Sequence, residues 1–130
     1  MIFHHIGVAC ESIEEVTIFL KKTFKIIKVT DIIYLDNQLV NVCLLTCFDG
    51  INIELVSGVT VERFVKNKQF LYHNCWEVED INASIELFSK NGATLISDPK
   101  PSKLFNDRKV AFLYTEIGIV ELLEKNKNAV

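Results

Sequence analysis

Proline occurs twice and glycine five times in 130 residues, so neither a collagen-like repeat nor a flexible low-complexity linker has the residues it needs. No run approaches the roughly 18 uninterrupted apolar residues of a membrane-spanning helix. The opening MIFHHIG lacks a basic stretch followed by a long apolar one, so no secretory signal is expected. A basic excess is also missing: 14 Lys and Arg stand against 17 Asp and Glu, a formal charge of −3, which gives no support for a nucleic-acid partner. The basic run KKTFKIIK is interleaved with core-type residues and reads as a half-solvated element. The four cysteines (Cys10, Cys43, Cys47, Cys75) include no C-x-x-C pair and lie in apolar stretches. Buried, reduced thiols are expected, not disulfides or a thiolate metal site. A cytoplasmic domain with no membrane contact is the expectation that remains.

Enough is present for a real core: 49% of the residues are hydrophobic and 24% charged. The most informative feature is a repeat. FHHIGVACESI near the start and LYHNCWEVEDI in the middle share one layout, an apolar run carrying a histidine and then a helix-start signal. His5 falls on His73 (73 − 5 = 68) and Ser12 on Asp80 (80 − 12 = 68). Residues 3–10 and 71–79 read as strands. Ser12 and Asp80 are good N-caps, and Ser12 with Glu15 makes an S-x-x-E capping box. Val16, Phe19, Leu20 and Phe24 continue one helix at three- and four-residue spacing. Ile81, Ser84, Ile85 and Phe88 continue the other, which ends at Asn91-Gly92.

The halves go on matching. IIKVTDIIYL and QLVNVCLLTCF read as strands turned at Asp36-Asn37, and Asp49-Gly50 signals a hairpin into INIELV. TLIS, KVAFLYT and IVELLE take the corresponding places, with Gly118 on Gly50 (118 − 50 = 68). Between the halves, TVERFVKNKQ reads as a short helix with Val61, Phe64 and Val65 inward. Each half is therefore β-α-β-β-β, with a histidine on its first strand and a glutamate, Glu54 or Glu121, on its last.

A lone histidine on an apolar strand is ordinarily a satisfied core side chain, and a lone glutamate in IEL ordinarily faces solvent. Repetition changes the balance. Two like halves about a pseudo-twofold axis would bring two histidines and two glutamates to one point. A buried carboxylate pair repels unless a cation sits between, and imidazole with carboxylate suits Ni, Co, Fe, Mn or Zn. The pattern alone leaves a divalent metal site and a structural role both open.

These segments resemble the vicinal-oxygen-chelate (VOC) superfamily, whose paired β-α-β-β-β modules include glyoxalase I and methylmalonyl-CoA epimerase. The resemblance runs from FHHIGVA to VELLE. HHIGVACESIEE, VERFVKNKQFLYHNCWEVEDI, NGATLISD and DRKVAFLY are most similar to epimerase-type sequences. It implies an α+β fold of the glyoxalase/bleomycin-resistance/dihydroxybiphenyl-dioxygenase type, as a single domain over residues 1–130. Module 1 would span about 1–58, a connecting helix about 60–69 and module 2 about 70–125. The family's four metal-ligand positions fall on His5, Glu54, His73 and Glu121; His5 is chosen over His4 because it directly precedes IGVA. The implied chemistry is isomerisation, epimerisation or lyase action beside a carbonyl or thioester through an enolate or enediolate. Glu121 is the implied base and Glu54 a ligand and possible second base. Arg108 is expected at a substrate pocket and Lys109 in solvent. The substrate would be a small molecule, such as a CoA or glutathione thioester or hemithioacetal, and the assembly a homodimer. Some epimerases carry a further glutamate on the third strand of the first half; Asn41 or Val42 stands there, which puts two-base racemisation in doubt. The competing readings are an antibiotic-binding protein of the same fold and an Fe(II) dioxygenase.

Overall fold

The computed structural model describes residues 1–126, which form nine strands and three α-helices. In order these are β1 (Ile2–Ala9), α1 (Ile13–Thr23), β2 (Ile26–Val29), β3 (Ile33–Leu35), β4 (Val40–Cys47), β5 (Asn52–Gly58), α2 (Glu62–Lys66), β6 (Leu71–Val78), α3 (Ile81–Lys90), β7 (Thr94–Ser102), β8 (Arg108–Thr115) and β9 (Gly118–Glu124). Two compact units account for them: residues His5–Tyr72, and Met1–His4 with the chain from His73 onward.

In the first unit the strands lie in the order β2-β4-β5-β1, with β3 also on β4. β1 runs parallel to β5, and the remaining pairs are antiparallel. Ser12 caps α1 by accepting the Glu15 amide at 3.2 Å. One face of the sheet is covered by α1: Ile13, Leu20, Cys43, Leu45, Ile53 and Leu55 are buried there, with Val16 packed against them. Each such aliphatic side chain contributes roughly 1.5–3 kcal/mol on burial. Phe19 and Phe24, expected on the inner face, are 57% and 50% exposed. Ile13, Val16 and Leu20 already complete the inward stripe at 100° per residue, and Phe24 lies past the helix in extended backbone.

The segment IIKVTDIIYL is not one strand. Thr30 interrupts it, its amide donating to the Leu44 carbonyl at 3.0 Å and its hydroxyl accepting the Leu44 amide at 2.9 Å. The result is two short strands on the same partner. The hairpin at Asp49-Gly50 forms as expected, with Gly50 at φ +91°.

In the second unit the order is β6-β9-β8-β7, with β6 parallel to β9. Asp80 caps α3 by accepting the Ala83 amide at 3.0 Å, and Gly92 follows its end at φ +94°. Ala111, Leu113, Val120 and Leu122 are buried on the face covered by α3, with Ile85 and Phe88 packed against them. Met1–His4 belongs with this unit: the Phe3 ring meets Trp76 edge-on at 5.2 Å, and His4 meets Phe105 at 5.2 Å. β7 is longer than TLIS and includes Pro99 and Pro101. It ends the strand order, where a missing N–H costs no ladder bond, and its register shifts between Ser97 and Lys100.

All four cysteines are free and buried. Burial pushes the Cys10 thiol up to about 11, a shift partly offset by the Val56 backbone.

Candidate functional site

In each unit the first strand carries a buried histidine and the last a buried glutamate. His5 on β1 is fully buried and Glu54 on β5 is 4% exposed. The His5 Nε2 stands 3.6 Å from the Glu54 Oε1. His73 on β6 and Glu121 on β9 are 5% and 2% exposed, and their Nε2 and Oε1 are 3.1 Å apart.

The two pairs are built by the same ladder. β1 registers Gly7 against Glu54, and β6 registers Cys75 against Glu121. In both units the glutamate therefore lies opposite the residue two places after the histidine, on the same face of the sheet. That face is turned away from the helix: Ile53 and Leu55 flank Glu54 on the α1 side, and Val120 and Leu122 flank Glu121 on the α3 side. A strand buried on both faces carries its polar residues only where they have a partner.

A buried carboxylate beside an imidazole is tolerated either as a hydrogen-bonded pair or with both groups on one cation. Ligands about 2.0–2.2 Å from an ion stand roughly 2.8–3.6 Å from each other in octahedral or tetrahedral geometry. Separations of 3.1 and 3.6 Å fall at that spacing, so the donor set of each unit fits a borderline divalent metal.

Val42 shares the face of Glu54, since it pairs with Val56 two places along β5, while Asn41 points to the opposite side. Neither is an acid. Arg108, expected at substrate, donates through Nη2 to the Glu77 carboxylate and through Nε to the Glu124 carbonyl at 2.9 Å. It lies on β8 four residues before Phe112, which faces Glu121, and so projects from the same face of the sheet. Two flanking residues were not singled out from sequence: Leu44, opposite Glu54, and Phe112, opposite Glu121. Their spacing (112 − 44 = 68) is the repeat offset itself, which relates them to each other but not to the glutamates they face.

A family model described as glyoxalase/bleomycin resistance protein/dioxygenase superfamily matches residues 4–112. The chain belongs to that superfamily. The match takes in His5, Glu54 and His73 and ends before Glu121. Solved structures similar to this chain include a hypothetical protein of Bacillus halodurans, 26% identical, with 98% of this chain and 96% of that one covered and a TM-score of 0.79. Methylmalonyl-CoA epimerase of Mycobacterium tuberculosis is 15% identical over 95% and 87% of the two chains, with a TM-score of 0.82. Glyoxalase I of Zea mays is 18% identical over 98% of this chain but 44% of its own, with a TM-score of 0.65. A search of curated protein sequences finds no match. At these identities the epimerase and glyoxalase structures speak for the α+β superfamily fold and not for a shared reaction.

Proposed function

We propose that this superfamily member is a metal-dependent isomerase, epimerase or lyase that moves a proton at a carbon next to a carbonyl or thioester, by way of an enolate or enediolate. The observation that supports it most is the repeated buried pair, His5 with Glu54 at 3.6 Å and His73 with Glu121 at 3.1 Å, on equivalent ladder positions. In this reading the two modules act as one domain, and the four side chains hold one divalent cation (Ni, Co, Zn, Mn or Fe). Two neutral imidazoles and two carboxylates would balance a 2+ ion, leaving the whole site neutral, which is favourable away from water. When bound, such an ion supplies Lewis acidity that stabilises negative charge on substrate oxygen.

The protein's own groups do the rest. Glu121, held on a strand fixed by Val120 and Leu122, accepts the proton from carbon and returns it. Glu54 serves as ligand and second candidate base, since Asn41 and Val42 supply none. Arg108 reaches substrate only by releasing Glu77. The substrate is a small molecule, such as a CoA or glutathione thioester or hemithioacetal, and the chain works as a homodimer in the cytoplasm. Among the described residues no helix is long and apolar enough to cross a membrane.

Two other readings use the same fold. An antibiotic-binding protein needs none of the four residues, and an Fe(II) dioxygenase needs two histidines and one carboxylate; four ligand-type side chains favour the first proposal over both. The test is metal content after purification, followed by assays with methylmalonyl-CoA and the methylglyoxal–glutathione hemithioacetal. Metal binding with solvent-deuterium exchange at the substrate α-carbon is expected. Failure to bind any of the five metals, or oxygen uptake in place of proton exchange, would overturn the proposal. Light scattering that finds only monomer would overturn the dimer.

A further inference from the structure

We propose that Phe112 is the positioning residue of the His73–Glu121 pair, fixing the plane of the His73 imidazole and walling the Glu121 carboxylate from water. Its consequence for metal binding rests on the reading above; the ring contact does not. β8 and β9 pair so that Phe112 lies directly opposite Glu121. Directly opposite residues project from the same face with Cβ atoms about 4.5–5.5 Å apart. The other face is occupied, since the neighbours Ala111, Leu113, Val120 and Leu122 all pack beneath α3.

On its own face the Phe112 ring meets His73 with centroids 5.6 Å apart and planes at 83°, the favoured edge-to-face arrangement. Phe112 is only 9% exposed, so the ring has little room to swing away. One side chain thus borders both members of the pair. The torsion that turns an imidazole about its Cβ–Cγ bond is soft, so neighbours decide where the nitrogen lone pair points. A ligand nitrogen must be held within about 10–20° of its productive direction.

The first unit provides the comparison. Leu44, opposite Glu54, occupies the equivalent place (112 − 44 = 68) but is half-buried and has no ring. The His5–Glu54 separation is 3.6 Å, against 3.1 Å for the pair beside Phe112. The residues facing the two glutamates therefore differ, an aromatic ring opposite Glu121 and an aliphatic side chain opposite Glu54.

The experiment titrates Co(II) into the metal-free full chain and records affinity, the visible ligand-field spectrum and, without metal, the NMR signals of the His73 ring. Phe112→Leu, which copies Leu44, is compared with Phe112→Tyr, which keeps the ring, after melting curves confirm folding. Phe112→Met replaces the leucine variant if that one does not fold. Phe112→Leu is expected to weaken Co(II) binding about 10- to 100-fold, to change the spectrum and to remove the ring-current shift of the His73 ring protons. Phe112→Tyr is expected to stay within about threefold of the unsubstituted chain in affinity. Equal losses in the two variants, or an unchanged affinity and spectrum in Phe112→Leu, would overturn the brace. If the unsubstituted chain binds no Co(II), the metal reading fails and the His73 signals alone decide: a changed ring environment in Phe112→Leu supports the brace, and an unchanged one overturns it.

Discussion

The Nε2 of His73 stands 3.1 Å from the Oε1 of Glu121, both side chains being at least 95% buried on neighbouring parallel strands. A base so placed is shielded from water and held beside an imidazole. Under the proposed function, proton transfer requires Glu121 to keep its basicity while the imidazole keeps its direction. The two roles separate by substitution.

Glu121→Gln keeps an oxygen donor and removes the basicity. The variant is expected to retain metal and lose solvent exchange of substrate α-protons by about 10²–10⁴-fold, the range of general-base catalysis. Exchange at the unsubstituted rate in the metal-loaded variant would reduce Glu121 to a ligand.

His73→Ala should lower metal occupancy and activity together, with an affinity loss of at least about tenfold. Elemental analysis after dialysis against a weak chelator measures it. Full occupancy would remove His73 from the donor set. His5→Ala is expected to behave alike, because the two histidines hold equivalent ladder positions.

Arg108→Ala tests whether that guanidinium serves the fold or the substrate. It is 19% exposed at the side chain and is held by Glu77 and the Glu124 carbonyl. Removing it leaves the Glu77 carboxylate without its cation, which is expected to cost about 1–3 kcal/mol in chemical denaturation. An unchanged denaturation midpoint with a raised KM and a steady kcat would instead assign Arg108 to substrate.

Gly58→Ala should be the most damaging glycine substitution among those tested at positive φ. Gly58 adopts φ +128°, and an added Cβ would stand 2.8 Å from the Leu39 carbonyl oxygen and 3.1 Å from the Val40 Cα. Backbone atoms of a paired strand cannot move aside cheaply, so a loss of about 2–4 kcal/mol is expected. Gly50→Ala is the control: φ is +91° but nothing lies within 4 Å of the new methyl, and about 1–2 kcal/mol is expected. Equal losses would show that clash plays no part.

Cys10 links pH to stability. Burial raises its thiol from the ordinary 9.0 to about 11, so the folded chain holds this proton more tightly than the unfolded chain does. The contribution is complete below the unfolded value and disappears as pH rises through the folded one. Stability should therefore fall on the order of 2 kcal/mol between about pH 9 and 11, and Cys10→Ala should flatten that slope. Native Cys10 should also react with iodoacetamide roughly a hundredfold more slowly than a free thiol. An unchanged slope in the variant would place the pH dependence elsewhere.

The elements that depend on near neighbours were open to reading from the chain alone. Ser12 and Asp80 cap their helices because each side chain reaches an amide three residues on, and Gly50 and Gly118 turn hairpins that need positive φ. The repeat offset of 68 linked the two histidines, because equivalent strands tolerate equivalent residues. Register and edge position were settled only by the folded chain. Thr30 breaks a strand because it meets Leu44, Pro99 and Pro101 are tolerated because β7 ends its sheet, and Arg108 finds Glu77 across 31 residues. Phe112 became visible as a neighbour of Glu121 only once β8 and β9 were in register. The physical reason is one of range: a cap or a turn is determined within four residues, whereas a cross-strand partner depends on which rung of the ladder two distant segments share.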